Sequence, residues 1–228
     1  SPVSHAYFDY DLRRLDLRQV YTFDPVPPAL SPEEARHILG GEGNMWTEYA
    51  PQETIDGKVF PRILAMAECL WSSSAGRTFP EFRNRLLAHA PRLEALGVRL
   101  GDESRPLTVI PTYDPAARKV TAAVRSSETG LEIRYTLDGN RPTLQSPLYR
   151  GPVPISGSSR FQAAAFIQDR PYGQVEIQEF VGHLGWGRRV GLTPSPSRRY
   201  AGNGPFSLSD GARGPIDHRD GAWQGFEG

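Results

Sequence analysis

The sequence has one cysteine, no surplus of either charge and no long apolar run, and each shortage removes a class of protein. A single thiol, Cys69, excludes an intrachain disulfide and a cysteine-ligated zinc site. Lysine plus arginine number 26, and so do aspartate plus glutamate. That balance argues against a nucleic-acid partner, because phosphate binding leaves a basic footprint. No stretch is apolar and long enough to cross a bilayer. The histidines His5, His37, His89, His183 and His218 show no metal-ligand spacing, so neither a metal nor another cofactor is expected. The opening residues lack the basic start and apolar run of a signal peptide, and there is no initiator methionine. The far end stops inside what reads as a strand-rich stretch. We therefore expect a fragment, and no compartment is read from the missing signal.

What is present suffices for a core. A chain of 228 residues accommodates one large domain or two ordinary ones, and 38% hydrophobic with 10% aromatic residues rules out general disorder. Residues 1–104 mix short strands with helices. Val3 to Asp9 reads as a strand, and so does Ile38 to Trp46, despite Gly40, Gly41 and Gly43. Ser31 and Glu34 form a capping box around Pro32. Phe60 to Trp71 is apolar on most sides and predicts a buried helix; Arg62 and Glu68 within it call for an ion pair or a bond to neighbouring strands. Thr78 to Leu96 predicts a second helix, capped by Thr78 and Glu81. Phe82, Leu86, Leu87, Ala90, Leu93 and Leu96 share its apolar face, and Gly97 ends it. Strand, helix, strand, helix is the rhythm of a parallel α/β sheet or barrel.

Residues 105–182 look all-β and suit a small β-sandwich. Val120 to Val124, Glu132 to Thr136, Phe161 to Ile167 and Val175 to Phe180 are strand candidates, and Asp138-Gly139-Asn140 is a tight turn. Residues 183–228 are rich in glycine, proline, serine and arginine, and read as a linker or a partial domain.

Chemistry concentrates where the first strands end. Tyr7 and Asp9 close one, Trp46 and Glu48 the other. An aromatic wall rimmed by carboxylates suits a pyranose: the CH face packs on indole and hydroxyls bond to carboxylate. Taken singly, Tyr7 and Trp46 read more readily as core residues than as ligand contacts. A carboxylate after Trp46 on a glycine-rich strand serves no packing purpose, which singles out Glu48.

Three motifs in register carry a family resemblance: Tyr7-Phe8-Asp9, Asn44-Met45-Trp46-Thr47-Glu48, and Pro61 to Trp71. Together they resemble the last two strands and final helices of the (β/α)8 barrel of family 20 β-N-acetylhexosaminidases. The stretch around Tyr135-Thr136-Leu137-Asp138-Gly139 resembles the β-sandwich that follows it in bacterial members. Tyr200 to Gly204 (with Asn203), Leu208 to Gly211 and Trp223 to Phe226 resemble the opening of a discoidin-like carbohydrate-binding module. The resemblance implies a barrel end over 1–104, a sandwich over 105–182 and a truncated module over 183–228. It also implies a periplasmic or secreted parent enzyme.

The resemblance further implies substrate-assisted, retaining hydrolysis of terminal β-linked N-acetylglucosamine or N-acetylgalactosamine from glycans. Tyr7 would bond the acetamido oxygen as a catalytic residue. Trp46 would wall the sugar, Glu48 would bond the 4- and 6-hydroxyls, and Asp9 would assist at that edge. The acid/base Asp-Glu pair should come from an earlier strand. The lone Asp-Glu dipeptide, Asp102-Glu103, follows the last helix and reads as an exposed linker pair, so the isolated chain is expected to be inactive. The alternative is a non-catalytic carbohydrate-binding or structural module.

Overall fold

The computed structural model describes residues 3–72, 74–114, 119–202, 204, 206–214 and 223–226. Asn203 and His218 lie outside the described residues. The chain forms two compact units, residues 1–105 and 106–228.

The first unit is helical. Short helices α1 (Val3–Ala6), α2 (Leu17–Tyr21), α3 (Pro32–Ala35) and α4 (Ile55–Val59) precede the longer α5 (Arg62–Trp71) and α6 (Phe79–Ala95). The caps follow from the sequence. The Asp16 carboxylate accepts from the Gln19 amide at 2.7 Å and starts α2. Ser31 and Glu34 bond reciprocally to close the capping box on α3. Thr78 accepts from the Glu81 amide and starts α6. Leu15, Leu17, Val20, Phe23, Ala65, Met66, Phe82 and Leu86 form the core, joined by Phe8 and the buried thiol of Cys69. Burial pushes that thiol's pKa up, which suits an inert core group. The predicted apolar face of α6 is buried at Phe82 and Leu86, but Leu96 is exposed.

The two strands expected in this unit do not form. Val3 to Ala6 is helix, and Ile38 to Trp46 is irregular. What survives is one parallel bridge, Tyr7 to Asn44, in which Asn44 N donates to Ala6 O at 2.6 Å and Phe8 N to Asn44 O at 2.8 Å. A parallel pair draws its stability from strands on either side and cover on both faces, and no strand flanks it among the described residues. The glycines are there for other rings: a side chain at Gly43 would meet Phe8, and one at Gly41 would meet Phe23. Elsewhere the connector after α6 lies directly on α4. A methyl at Gly101 would overlap the Gly57 carbonyl oxygen, and Gly101 N donates to Phe60 O at 3.0 Å.

The second unit holds two antiparallel three-stranded sheets, ordered β1-β2-β4 and β3-β5-β6. Their ranges are β1 Leu107–Asp114, β2 Lys119–Ser126, β3 Glu132–Thr136, β4 Val153–Ile155, β5 Ser159–Ile167 and β6 Arg170–Phe180. All four expected strands are present, and β1 and β4 add to them. Alternate residues from both sheets meet in one core: Leu107, Val109, Val120, Ala122 and Val124 from one side, Phe161, Ala163, Ala165 and Tyr172 from the other. The described part of residues 183–228 lies on this unit. Phe180 bridges Ala212, Val181 N donates to Gly211 O at 2.7 Å, Gly187 N donates to Ser209 O at 2.8 Å, and Trp186 packs on the core.

Candidate functional site

The Tyr7–Asn44 bridge sets Tyr7-Phe8-Asp9 beside the segment that runs on to Trp46 and Glu48. Tyr7 is half-buried, with its ring stacked on Tyr10 at 6.0 Å between centroids and 22° between planes. Trp46, in extended conformation, leads into a 3-10 turn over Thr47–Tyr49. It is 53% exposed, and Glu48 on the turn is exposed too. No hydrogen bond, ion pair or ring contact among the described residues links Tyr7 or Asp9 to Trp46 or Glu48. The bridge brings the two segments together through their backbones.

Asp9 departs from the expected rim position. It is 3% exposed, and its Oδ1 is buried with no hydrogen-bond partner. Buried acceptors are rarely left so, because each costs about 1–3 kcal/mol. The backbone around it is tied down by cations. Arg62, 1% exposed at the start of α5, donates from Nη2 to Phe8 O, from Nη1 to Tyr10 O at 3.0 Å and to Leu15 O at 2.9 Å, and from Nε to Lys58 O at 2.8 Å. Burial pushes the Arg62 pKa down to about 10, with Asp9, Asp11 and Asp16 pulling it back up, so the guanidinium stays charged at neutral pH. Lys58 Nζ donates to Asp9 O at 2.6 Å. Burial and the neighbouring Arg62 charge lower the Lys58 pKa, opposed by Asp11 and Asp9.

Arg62 therefore takes the second of the roles its sequence position allowed, a bond from helix to chain. Glu68 pairs with other residues: it accepts from the Tyr21 hydroxyl at 2.6 Å and from Arg85 Nη2 at 2.6 Å. Burial pushes the Tyr21 pKa up to about 12, and Glu68 adds to the shift. Asp102-Glu103 needs a correction. Asp102 is exposed, but Glu103 is not a free linker residue: it pairs with Arg83 on α6 at 2.6 Å, and both side chains are largely buried. A guanidinium sunk beside Phe82 requires a counter-charge, and the connector supplies it. Lys58 escaped sequence reasoning altogether, because its partner is a main-chain oxygen that no pattern marks.

Among the described residues no cluster of three His, Cys, Asp or Glu is placed to hold a metal, and no helix is long and apolar enough to cross a membrane. Among the described residues the second unit has a cleft of about 460 Å³. Val181, His183, Ser207, Leu208, Asp210 and Arg213 line it. Asp210 is buried there and accepts from the Ala212 amide at 2.9 Å. Burial pushes its pKa up to about 6, against the pull of that amide and of His183.

Comparison with known proteins places both units. Residues 4–74 match the family model for the glycosyl hydrolase family 20 catalytic domain, and residues 112–175 that for the chitobiase/beta-hexosaminidase C-terminal domain. A beta-hexosaminidase of Porphyromonas gingivalis is 31% identical over 60% of this chain and 18% of its own length. The alpha subunit of Bos taurus beta-hexosaminidase is 35% identical over 41% of this chain and 17% of its own. Among solved structures, the beta-N-acetylhexosaminidase of Bacteroides fragilis aligns with TM-score 0.39 and 29% identity, over 44% of this chain and 22% of that one. The chain thus spans about a fifth of the length of these relatives. Residues 4–74 are similar to part of a glycosyl hydrolase family 20 catalytic domain, and residues 112–175 to a chitobiase/beta-hexosaminidase C-terminal domain.

Proposed function

We propose that the protein carrying this chain is an exo-acting glycosidase that removes terminal β-linked N-acetylglucosamine or N-acetylgalactosamine from glycans, with retention. The observation that carries this reading is the hydrogen-bonded pairing of Tyr7-Phe8-Asp9 with the segment leading to Trp46 and Glu48, inside the stretch that matches a family 20 catalytic domain. On this reading residues 1–104 are the end of a (β/α)8 barrel, whose reactive groups gather at strand ends. Residues 183–228 begin a discoidin-like module.

The chemistry is substrate-assisted. The acetamido oxygen attacks the anomeric carbon while an acid elsewhere in the protein protonates the leaving oxygen; water then opens the oxazolinium. Tyr7 donates to the acetamido oxygen as charge develops there. Trp46 offers an exposed indole face to the sugar. Glu48, exposed and free to accept, takes the 4- and 6-hydroxyls, and Asp9 offers its orphan oxygen at the same edge. The general acid lies outside this chain: Glu103, in the lone Asp-Glu dipeptide, is committed to Arg83.

The test is turnover of an aryl N-acetyl-β-glucosaminide by the intact protein, and none by the isolated chain. In the intact protein Glu48→Gln should cut kcat/KM, since charge-assisted bonds are roughly twice as strong as neutral ones. A substrate lacking the 4-hydroxyl should be much less sensitive. Equal losses on both substrates would place Glu48 outside the sugar site. Glycan binding without any turnover would favour a non-catalytic carbohydrate-binding module.

A further inference from the structure

We propose that Lys58 is a positioning residue for Asp9, holding its backbone so that one carboxylate oxygen stays unpartnered for a hydroxyl of the terminal sugar. The inference rests on the sugar-site reading given above.

Three consecutive carbonyls, those of Phe8, Asp9 and Tyr10, each accept from a cationic side chain, the outer two from Arg62 and the middle one from Lys58. Fixing both peptides that flank a residue fixes the direction of its Cα–Cβ bond, and a carboxylate that short has little freedom left. Without Lys58 the Asp9 carbonyl would lose its donor in a place largely closed to water.

The cost of this arrangement shows that packing does not explain it. Lys58, near the end of α4, lies four residues before Arg62, the first residue of α5, which bonds its carbonyl, so two positive charges are crowded where burial already disfavours them. An uncharged side chain of equal length would fill the space without that penalty. What it could not do is donate to Asp9 O. The second observation is the orphan Oδ1 of Asp9 itself: the turn is fastened at every carbonyl while this acceptor is left open. Arg62 holds the turn to the core; Lys58 donates its hydrogen bond to Asp9 O and also feels the Asp11 carboxylate. Oδ1 is screened from solvent in the structure, so on this proposal a sugar hydroxyl reaches it only once that cover is displaced.

The experiment uses the intact protein and four variants: Lys58→Met, Lys58→Arg, Asp9→Asn and the Lys58→Met/Asp9→Asn double. Each is assayed on an aryl N-acetyl-β-glucosaminide and on an analogue lacking the 4- and 6-hydroxyls. Misplacing a binding group by a fraction of an ångström predicts that Lys58→Met lowers kcat/KM about tenfold, mainly through KM. Lys58→Arg should recover most of it. The loss should nearly vanish on the deoxy analogue and in the Asp9→Asn background. Should Lys58→Met fail to fold, Lys58→Ala takes its place: a rise in KM confined to the hydroxylated substrate supports positioning, and an unchanged KM overturns it. Equal loss on both substrates, or simple additivity with Asp9→Asn, would overturn it as well. An unaffected Lys58→Met beside an impaired Asp9→Asn sinks the role of Lys58 and leaves the sugar site standing. An unaffected Asp9→Asn removes Asp9 from that site.

Discussion

A tyrosine hydroxyl can serve a ring-closing step only if its ring is held while its oxygen stays reachable. The Tyr7 ring meets the first condition, being stacked on Tyr10 and anchored through the bridge to Asn44, and the residue is half-buried, not sealed in the core. On the proposed reading its bond to the acetamido oxygen would strengthen as that oxygen attacks, so its effect would belong to the transition state. Tyr7→Phe in the intact protein should therefore lower kcat more than it raises KM, in steady-state kinetics on an aryl N-acetyl-β-glucosaminide. Wild-type values would remove Tyr7 from the site. Asp9 poses the opposite problem. Its position in Tyr7-Phe8-Asp9 marked it for the rim, yet it is buried, because Arg62 draws the carbonyls on either side of it inward. Spacing along a chain places a carboxylate near a site; it does not say how deep.

At the scale of elements, α5 acts through its first residue. Arg62 satisfies four main-chain oxygens from Phe8 to Lys58, and replacing it by a neutral chain would strand them together. Arg62→Met should cost about 3 kcal/mol or more, seen as an early melting transition of the first unit by circular dichroism. A loss under about 1 kcal/mol would mean that water replaces the guanidinium. Helices α3, α5 and α6 were legible in the sequence because their signals are local: Ser31 with Glu34, Thr78 with Glu81, and apolar spacing; the short α1, α2 and α4 were not. The two strands expected in the first unit were misread, because local pattern cannot supply the neighbours on which a parallel strand depends. Proline hid the other two. Pro111 lies in β1 and Pro154 in β4, and proline argues against a strand unless the strand is an edge. Both are edges, on either side of β2. The candidate site was legible as four residue names; the Lys58 contact was not, since it joins a helix to a carbonyl across a sequence separation of 49.

On the scale of the whole molecule, the two units answer to different chemistry, and pH should separate them. The second carries Asp210, whose pKa burial lifts from 3.8 to about 6. Between those values the folded state holds the proton more tightly than the unfolded chain. Its contribution to stability is therefore full below about pH 4, declines as pH rises, and is lost above about pH 6. Asp210→Asn removes the penalty, so the variant should melt progressively later than wild type as pH goes from 4 to 7, with no difference at pH 4. Parallel melting curves across that range would show that the carboxylate is hydrated in solution. In the first unit Glu68 behaves in the reverse sense: burial resists its charge, but Arg85 and Tyr21 together hold its pKa low, so its contribution is lost as pH falls.

The close approach of the connector to α4 makes two glycines unequal in what evolution could do with them. Alanine at Gly57 would meet the Gly101 Cα at 3.5 Å, an ordinary contact, and would suit a helix better by up to about 1 kcal/mol. Alanine at Gly101 would collide with the Gly57 carbonyl and lift the connector away from the helix. Since Lys58 is the next residue along that helix, such a lift reaches the Asp9 turn without altering any group that meets a sugar. A saturation scan selected on turnover should show Gly57 permissive and Gly101 intolerant even of the smallest side chain, a blank column far from any reacting atom.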